Sequence, residues 1–337
     1  MEELRANILR IERISLSDGE GMRTVIFFKG CPLRCAWCST PESWNAEPEM
    51  YYKKERCRFC GRCIEACPQH ALTFDIKNMR IVRDYGKCTV CGTCKETCHH
   101  QAQLVYGKTM TVKQVIKEIL KDELFYWHSG GGVTFSGGEA LLYPDFLREV
   151  ILGCKEAAIN TAAELAMDVP WENVEKVVPL LDSFFTDIKT IDPDVHKRFT
   201  GRDNRRILEN IKKASAISVP GAIHVRTPLV WGVNDDRNSI LQIAEFCSTV
   251  ENVAELEFLP YHRLGTHAYT ELNREYRMSS LPGMSVEDAM KKTEHLINNR
   301  EWPFDITVAG HMVYRSKQRA GNREADEGSF HIVKGCY

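Results

Sequence analysis

Eleven of the chain's fourteen cysteines fall between Cys31 and Cys98, and any fold drawn for this sequence must first place them. The other three, Cys154, Cys247 and Cys336, are scattered over the remainder. In a secreted chain such crowding would mean disulfides. Here residues 1–14 lack the unbroken apolar core of a signal peptide, because Glu2, Glu3, Arg5, Arg10, Glu12 and Arg13 interrupt it. No later apolar run approaches the roughly 20 residues of a membrane helix. The expectation is a cytoplasmic chain whose thiols stay reduced and whose cysteine groups bind metal.

Spacing narrows the metal. Cys57, Cys60, Cys63 and Cys67, then Cys88, Cys91, Cys94 and Cys98, each read C-x2-C-x2-C-x3-C, the run of bacterial two-cluster ferredoxins. In that arrangement the fourth cysteine of each run crosses to the other cluster, since a tight loop can wrap only three corners of one cube. This groups Cys57, Cys60, Cys63 and Cys98 on one 4Fe-4S cluster and Cys67, Cys88, Cys91 and Cys94 on another. A pair of zinc sites is the competing reading, because structural zinc also uses C-x2-C knuckles. Pro68 after Cys67 favours iron; His99 after Cys98 departs from the pattern.

Upstream, Cys31, Cys35 and Cys38 form C-x3-C-x2-C with no unclaimed fourth cysteine nearby. Three thiolates on a four-iron cube leave one iron open, and an open position is where chemistry happens. That iron can chelate the amino and carboxylate groups of a methionine moiety, bringing a sulfonium within reach of an electron. A third ordinary cluster, completed by a distant ligand such as Cys154, is the alternative.

With 337 residues, 43% of them hydrophobic, the chain can build one large domain or two moderate ones. Its 44 basic and 46 acidic residues leave a formal charge of −2, so neither nucleic acid nor a membrane surface is an expected partner. Outside the cysteine region, β-rich runs at 24–28, 132–136, 160–165, 183–188, 223–228 and 255–259 alternate with helical periodicity at 112–121, 145–158, 171–181, 205–216, 239–250 and 285–298. Asp168 and Ser285 read as helix starts. The expected fold class is α/β, an open partial (β/α)6 barrel with an inserted domain. Residues 1–50 begin the barrel, 51–106 form a ferredoxin-like insert built on a repeat of 56–71 in 87–102, and 107–314 complete the barrel. Residues 315–337, charged and glycine-rich, read as a flexible tail.

The run Asp18-Gly19-Glu20-Gly21-Met22-Arg23, followed by Phe27-Phe28-Lys29-Gly30-Cys31-Pro32-Leu33-Arg34-Cys35-Ala36-Trp37-Cys38, resembles the start of a glycyl-radical-enzyme activating enzyme, a branch of the radical S-adenosylmethionine (SAM) superfamily. The resemblance extends from about residue 8 to residue 308. It implies that Trp37 and Ser39 lie near the cofactor. It also implies that Ser136-Gly137-Gly138-Glu139 receives the methionyl amino group, and that Lys189 of Thr186-Asp187-Ile188-Lys189 offsets the carboxylate. Asp187 would hold a lysine or a monovalent cation beside it. Arg226 matches a position contacting the carboxylate, and His262 one contacting the ribose or adenine. Asp18, Gly19, Gly21 and Arg23 are expected to dock the partner's glycine loop, glycine letting another backbone come close. Thr40 stands where asparagine is common, Glu20 where proline is usual, and Ala163-Glu164-Leu165-Ala166-Met167 keeps only the glutamate of the family's strand end.

The implied reaction passes an electron from flavodoxin or ferredoxin, through the insert, to the SAM cluster. SAM then gives methionine and a 5'-deoxyadenosyl radical, which takes hydrogen from one glycine of a glycyl radical enzyme. Another radical SAM reaction, as in a protein maturase, and a plain iron-sulfur electron carrier are the competing functions. The carrier leaves Cys31, Cys35, Cys38 and the Gly-Gly-Glu run unused.

Overall fold

The computed structural model describes residues 3–297 and 300–317. In chain order its strands are β1 (Arg5–Ser15), β2 (Arg23–Phe28), β3 (Glu49–Tyr52), β4 (Leu72–Asp75), β5 (Arg80–Arg83), β6 (Gln103–Tyr106), β7 (Lys108–Thr111), β8 (Gly132–Gly137), β9 (Asn160–Leu165), β10 (Ser183–Asp187), β11 (Ile223–Leu229), β12 (Val253–Pro260), β13 (Asp305–Val308) and β14 (His311–Tyr314). Ten of them make one sheet, ordered β14-β13-β12-β11-β10-β9-β8-β2-β1-β7. Neighbours from β2 to β13 run parallel, seven strands where the sequence reading expects six. β1 and β7 extend one edge antiparallel, and β14 the other.

The additional strands have physical reasons to escape a search for apolar runs. β13 has only four residues, all buried, too few to show a period. In β1, Arg10 and Glu12 face a cavity within the sheet's concave side while Arg13 pairs with Glu118 and Asp122 on the other, so the strand carries charge on both faces. The parallel strands are covered by helices. In the helix Pro144–Glu156, Phe146, Leu147, Val150, Ile151 and Cys154 are buried on one face. Phe146 meets Phe28 of β2 edge-on, with ring centroids 6.1 Å apart.

The sheet is rolled. β11 and β1 stand five places apart in it, about 24 Å if it were flat. Yet Arg226 of β11 donates from Nη2 to the carbonyl of Ser17, two residues past β1, at 3.2 Å. The concave face therefore encloses a space reached by side chains from both sides.

Ser285 caps its helix by accepting from the Asp288 N–H at 3.0 Å. Asp168 does not cap the helix Trp171–Val177, whose cap position is Pro170. Its buried carboxylate is drawn instead to Arg202 and Arg206, at 3.5 and 3.6 Å. Defined contacts also pass the expected limit at 314, since Ser316 is buried and its N–H donates to Asp305. The rest of the expected tail, from 318, and Cys336 lie outside the described residues.

Between β2 and β7 the chain forms a second small unit. β3 pairs with β6 and β4 with β5, both antiparallel, around a separate core of Met50, Tyr52, Ala71, Leu72, Ile81 and Ala102 with Cys63, Cys67 and Cys94. Its pairing starts at Glu49, two residues before the expected boundary. Lys29 of the main unit is fully buried at the seam and donates to Glu49 Oε2 at 3.1 Å and to the Glu42 carbonyl at 2.7 Å. Arg274 adds a second bond to Glu49 at 2.6 Å. Among the described residues no helix is long and apolar enough to cross a membrane.

Candidate active site and cysteine centres

The segment after β2 is pinned by its backbone. Gly30 N–H donates to Ser43 O at 2.7 Å, Arg34 N–H to Thr200 O at 2.7 Å and Ala36 N–H to Phe199 O at 2.8 Å. Leu33, Ala36 and Trp37 pack into the main core, which turns Cys31, Cys35 and Cys38 toward a cavity of about 470 Å³ on the concave face of the sheet. That volume suits a small-molecule ligand. Burial pushes all three thiols up, Cys35 to about 12. A bound cation is what would turn such groups into thiolates.

Trp37, Ser39, Gly137, Gly138, Asp187, Lys189, Arg226 and His262 line the same cavity. Glu139 and Ile188, expected with them, do not. Glu139 is wholly buried behind the turn, where its oxygens accept from Leu141 N–H at 3.0 Å and Met167 N–H at 2.9 Å, and burial pushes its pKa up to about 7. Strand alternation explains Ile188: Asp187 and Lys189 face the cavity, so the residue between them points into the core. At Gly138 a Cβ would stand 2.0 Å from the Gly30 carbonyl oxygen, so only glycine lets this turn lie against the cysteine loop.

Lys189 is 7% exposed and donates to Asp187 Oδ2 at 2.7 Å. Burial works against its charge, but Asp187 and Cys35 outweigh it, and the pKa is raised. Arg226, expected to meet the substrate's carboxylate, is already engaged: Nε with Glu257 at 3.0 Å, Nη1 with Glu164 at 2.7 Å, Nη2 with Ser17 O. Its guanidinium also lies 3.8 Å from the Phe185 ring centroid. Arg10, exposed at the same cavity, pairs with Glu42 and Glu12, which leaves Lys189 as the buried cation with donors to spare. Glu257 was outside the sequence reading; Glu255 and Glu257, two residues apart in an otherwise apolar strand, were its signal. Burial lowers the pKa of His262, whose Nδ1 accepts from Leu264 N–H, so the neutral ring keeps Nε2 as a donor.

Of the segment from Asp18 to Arg23, Asp18 lines the cavity and takes a hydrogen bond from the Ser15 hydroxyl. Gly21, at φ +68°, serves the chain itself: a Cβ there would be 2.4 Å from Gly131 N. Gly19 lies against the Arg23 side chain. Arg23 is 2% exposed, its guanidinium bonded to Thr134, Val133 O and Asn160. It braces the segment from inside and is withdrawn from any partner.

The other eight cysteines surround two further cavities in the small unit. Cys57, Cys60, Cys63 and Cys98 line one. Cys67, Cys88, Cys91 and Cys94 line the other. The last cysteine of each run thus lies with the first three of the other. Among the described residues no three His, Cys, Asp or Glu side chains close on a single-ion point; each set rings a space. One buried donor beside the second of these spaces lacks a hydrogen-bond partner, Nε of Arg83 near Cys88. Cys154, the alternative ligand for the loop, is 1% exposed on the inner face of its helix and does not line the loop's cavity.

A model of the radical SAM superfamily matches residues 25–246. The chain is 41% identical over 283 residues to the trans-4-hydroxy-L-proline dehydratase activating enzyme of Clostridioides difficile, spanning 83% of this chain and 92% of that one. To the (2S)-3-sulfopropanediol sulfolyase activating enzyme of Bilophila wadsworthia it is 39% identical over 288 residues, spanning 85% and 93%. Among solved structures, Streptococcus suis SuiB bound to the precursor peptide SuiA has a similar fold, at a TM-score of 0.51 and 13% identity over 92% of this chain and 52% of that one. Matches of this identity over most of both chains, on a loop that turns three cysteines into a ligand-sized cavity, make the protein a member of the radical SAM superfamily and, within it, of the activating enzymes of glycyl radical enzymes.

Proposed function

We propose that Cys31, Cys35 and Cys38 hold the 4Fe-4S cluster that binds SAM in this activating enzyme, and that the two cysteine sets of the small unit hold two more. In this reading the rolled sheet is an open partial barrel of radical SAM type and residues 51–106 are a ferredoxin-like insert. The observation that carries it is the sorting of eleven cysteines into three cavities, lined by three, four and four of them. The donors fit the groups: soft thiolates suit iron-sulfur clusters, and the partnerless Nε of Arg83 suits inorganic sulfide as an acceptor.

When bound, SAM and a reduced cluster supply a one-electron cleavage that yields a hydrogen-abstracting radical. The chain's own residues orient and shield. Lys189, held by Asp187, offers positive charge to the methionyl carboxylate. Gly137 and Gly138 bring backbone close, Trp37 gives an apolar wall beside Ser39, and His262 offers a ring donor. Asp187 is spent on Lys189, and the segment 163–167 offers few oxygen donors, so a monovalent cation has no part in this reading. Asp18 stands at the cavity for the partner's glycine loop, and Arg226 steadies that edge through Ser17 O. The partner is a glycyl radical enzyme, and the electron donor a small carrier such as flavodoxin or ferredoxin.

The test is metal analysis of the anaerobically reconstituted chain, which should hold about twelve irons. About four irons, with zinc on the insert cysteines, would sink the two further clusters.

A further inference from the structure

The two halves of the insert are copies that differ at two telling places. Tyr52 stands five residues before Cys57, and Arg83 five residues before Cys88. Likewise Leu72 stands five residues after Cys67, and Gln103 five after Cys98. One half thus places a neutral hydroxyl and an apolar side chain where the other places a guanidinium and an amide.

Arg83 is 6% exposed, on β5. Its Nη1 donates to Cys88 Sγ at 3.3 Å and its Nη2 to Cys94 Sγ at 3.6 Å, two members of one set. Nη2 also donates to Gln103 Oε1, and Gln103, 1% exposed, passes its own Nε2 to Cys63 Sγ of the other set at 3.8 Å. The bonded partners of the guanidinium are thiols and an amide, so no bonded carboxylate cancels its charge. At Cys57, Cys60, Cys63 and Cys98 the nearby cations are Arg58 and Arg62, both exposed and open to screening by solvent and salt. Backbone donors do not reverse the contrast: Phe59 and Ala102 N–H serve Cys57 and Cys98, and Ala71 N–H serves Cys67, all at 3.3 Å. These are neutral; Arg83 is charged and buried, where screening is weak.

Net charge and hydrogen bonds to sulfur set cluster potentials. A fixed positive charge stabilises the reduced, more negative cluster. The Arg83 side of the insert also faces the main unit, because Cys88 and Cys31 line one cleft of about 570 Å³ between them.

Resting on the reading that both sets carry 4Fe-4S clusters, we propose that Arg83 raises the reduction potential of the cluster on Cys67, Cys88, Cys91 and Cys94 above that of its twin, so that an electron entering the insert settles at the centre facing Cys31. The step is a single electron taken from a low-potential one-electron donor, which is oxidised as the cluster is reduced; no bond is made or broken.

The experiment is a redox titration of the full chain with dithionite and mediators, followed by electron paramagnetic resonance, in a Cys35→Ala background that retains about eight irons. The parent should show two waves, the upper altered by Cys91→Ala and the lower by Cys60→Ala. Arg83→Gln should move the upper wave down toward the lower and leave the lower in place, and Arg83→Lys should move it less. A single wave in the parent, an unmoved upper wave in Arg83→Gln, or a shift confined to the lower wave would each overturn the proposal. If Arg83→Gln loses iron, Arg83→Lys is read alone, and an unchanged wave there overturns it. Loss of four irons from both variants would make Arg83 an assembly residue, which also overturns it. Zinc in place of iron in the parent would instead break the cluster reading on which this rests.

Discussion

Cys31, Cys35 and Cys38 sit on a loop whose Leu33, Ala36 and Trp37 are buried in the main core, and their thiols face a cavity walled by Lys189, Asp187 and Trp37. In the insert, Cys60 and Cys91 are exposed, and the cysteines share a small core of their own. The loop offers three thiols and a ligand-sized space; each insert set offers four thiols and little more. Under the cluster assignment proposed above, the contrast separates two uses of iron. A centre left one ligand short and sheltered from water can bind and activate a substrate. A fully ligated centre near the surface can only accept and pass electrons.

The strongest way to break this contrast is Cys35→Ala. It should abolish 5'-deoxyadenosine formation and lower iron from about twelve to about eight, leaving the insert's signals in place. Cleavage that survives would remove the loop from the active centre. Next, Lys189→Met deletes the buried lysine that faces the cavity beside Arg10 and Arg226. Loss of a charge-assisted hydrogen bond of about 1.5–3 kcal/mol should weaken SAM binding about 10- to 150-fold, and unchanged binding in an equilibrium assay would assign the carboxylate to another group.

A subtler separation is expected from Asp18→Ala. Glycyl radical formation on the partner, followed by electron paramagnetic resonance, should fall up to about tenfold, the scale of one hydrogen bond, while uncoupled SAM cleavage persists. Equal loss of both would place Asp18 in the cofactor site. The mildest effect belongs to Cys60→Ala, on the insert side. It should slow turnover supported by a protein electron donor and spare cleavage driven by excess dithionite. If cleavage under dithionite vanished as well, the insert would be part of the active centre and the contrast would fail.

The sequence was most legible where the signal is local. C-x2-C spacing is a short-range property, and the parallel strands announce themselves as apolar runs with helices between. What escaped depends on three-dimensional pairing. β1 hides because its charged residues find partners on both faces of the sheet, and β13 because it is too short to show a period. The family motif points Arg226 at the substrate's carboxylate, and nothing in the sequence near it reveals that Glu164, Glu257 and Ser17 converge on one guanidinium. The motif likewise groups Glu139 with the binding surface, but its side chain is buried on Leu141 and Met167 N–H while the glycines before it line the cavity. The family motif identifies the turn, but the rotation of each side chain about that turn is fixed by packing.

The chain enters and leaves the insert side by side, because Glu49 and Tyr106 are paired across β3 and β6. Opposed residues in such a ladder have Cα atoms about 5 Å apart, so residues 49–106 could be spliced out and the cut closed with a short linker without reordering a single strand of the main sheet. The module is portable in that topological sense, but the excision is not free of consequence at the seam. Lys29 and Arg274 would both lose Glu49 as counter-ion, and Lys29 would keep the Glu42 carbonyl as its bonded acceptor. Glu49 is therefore the residue to keep when the cut is placed, since it alone carries the counter-charge for both Lys29 and Arg274 at the seam.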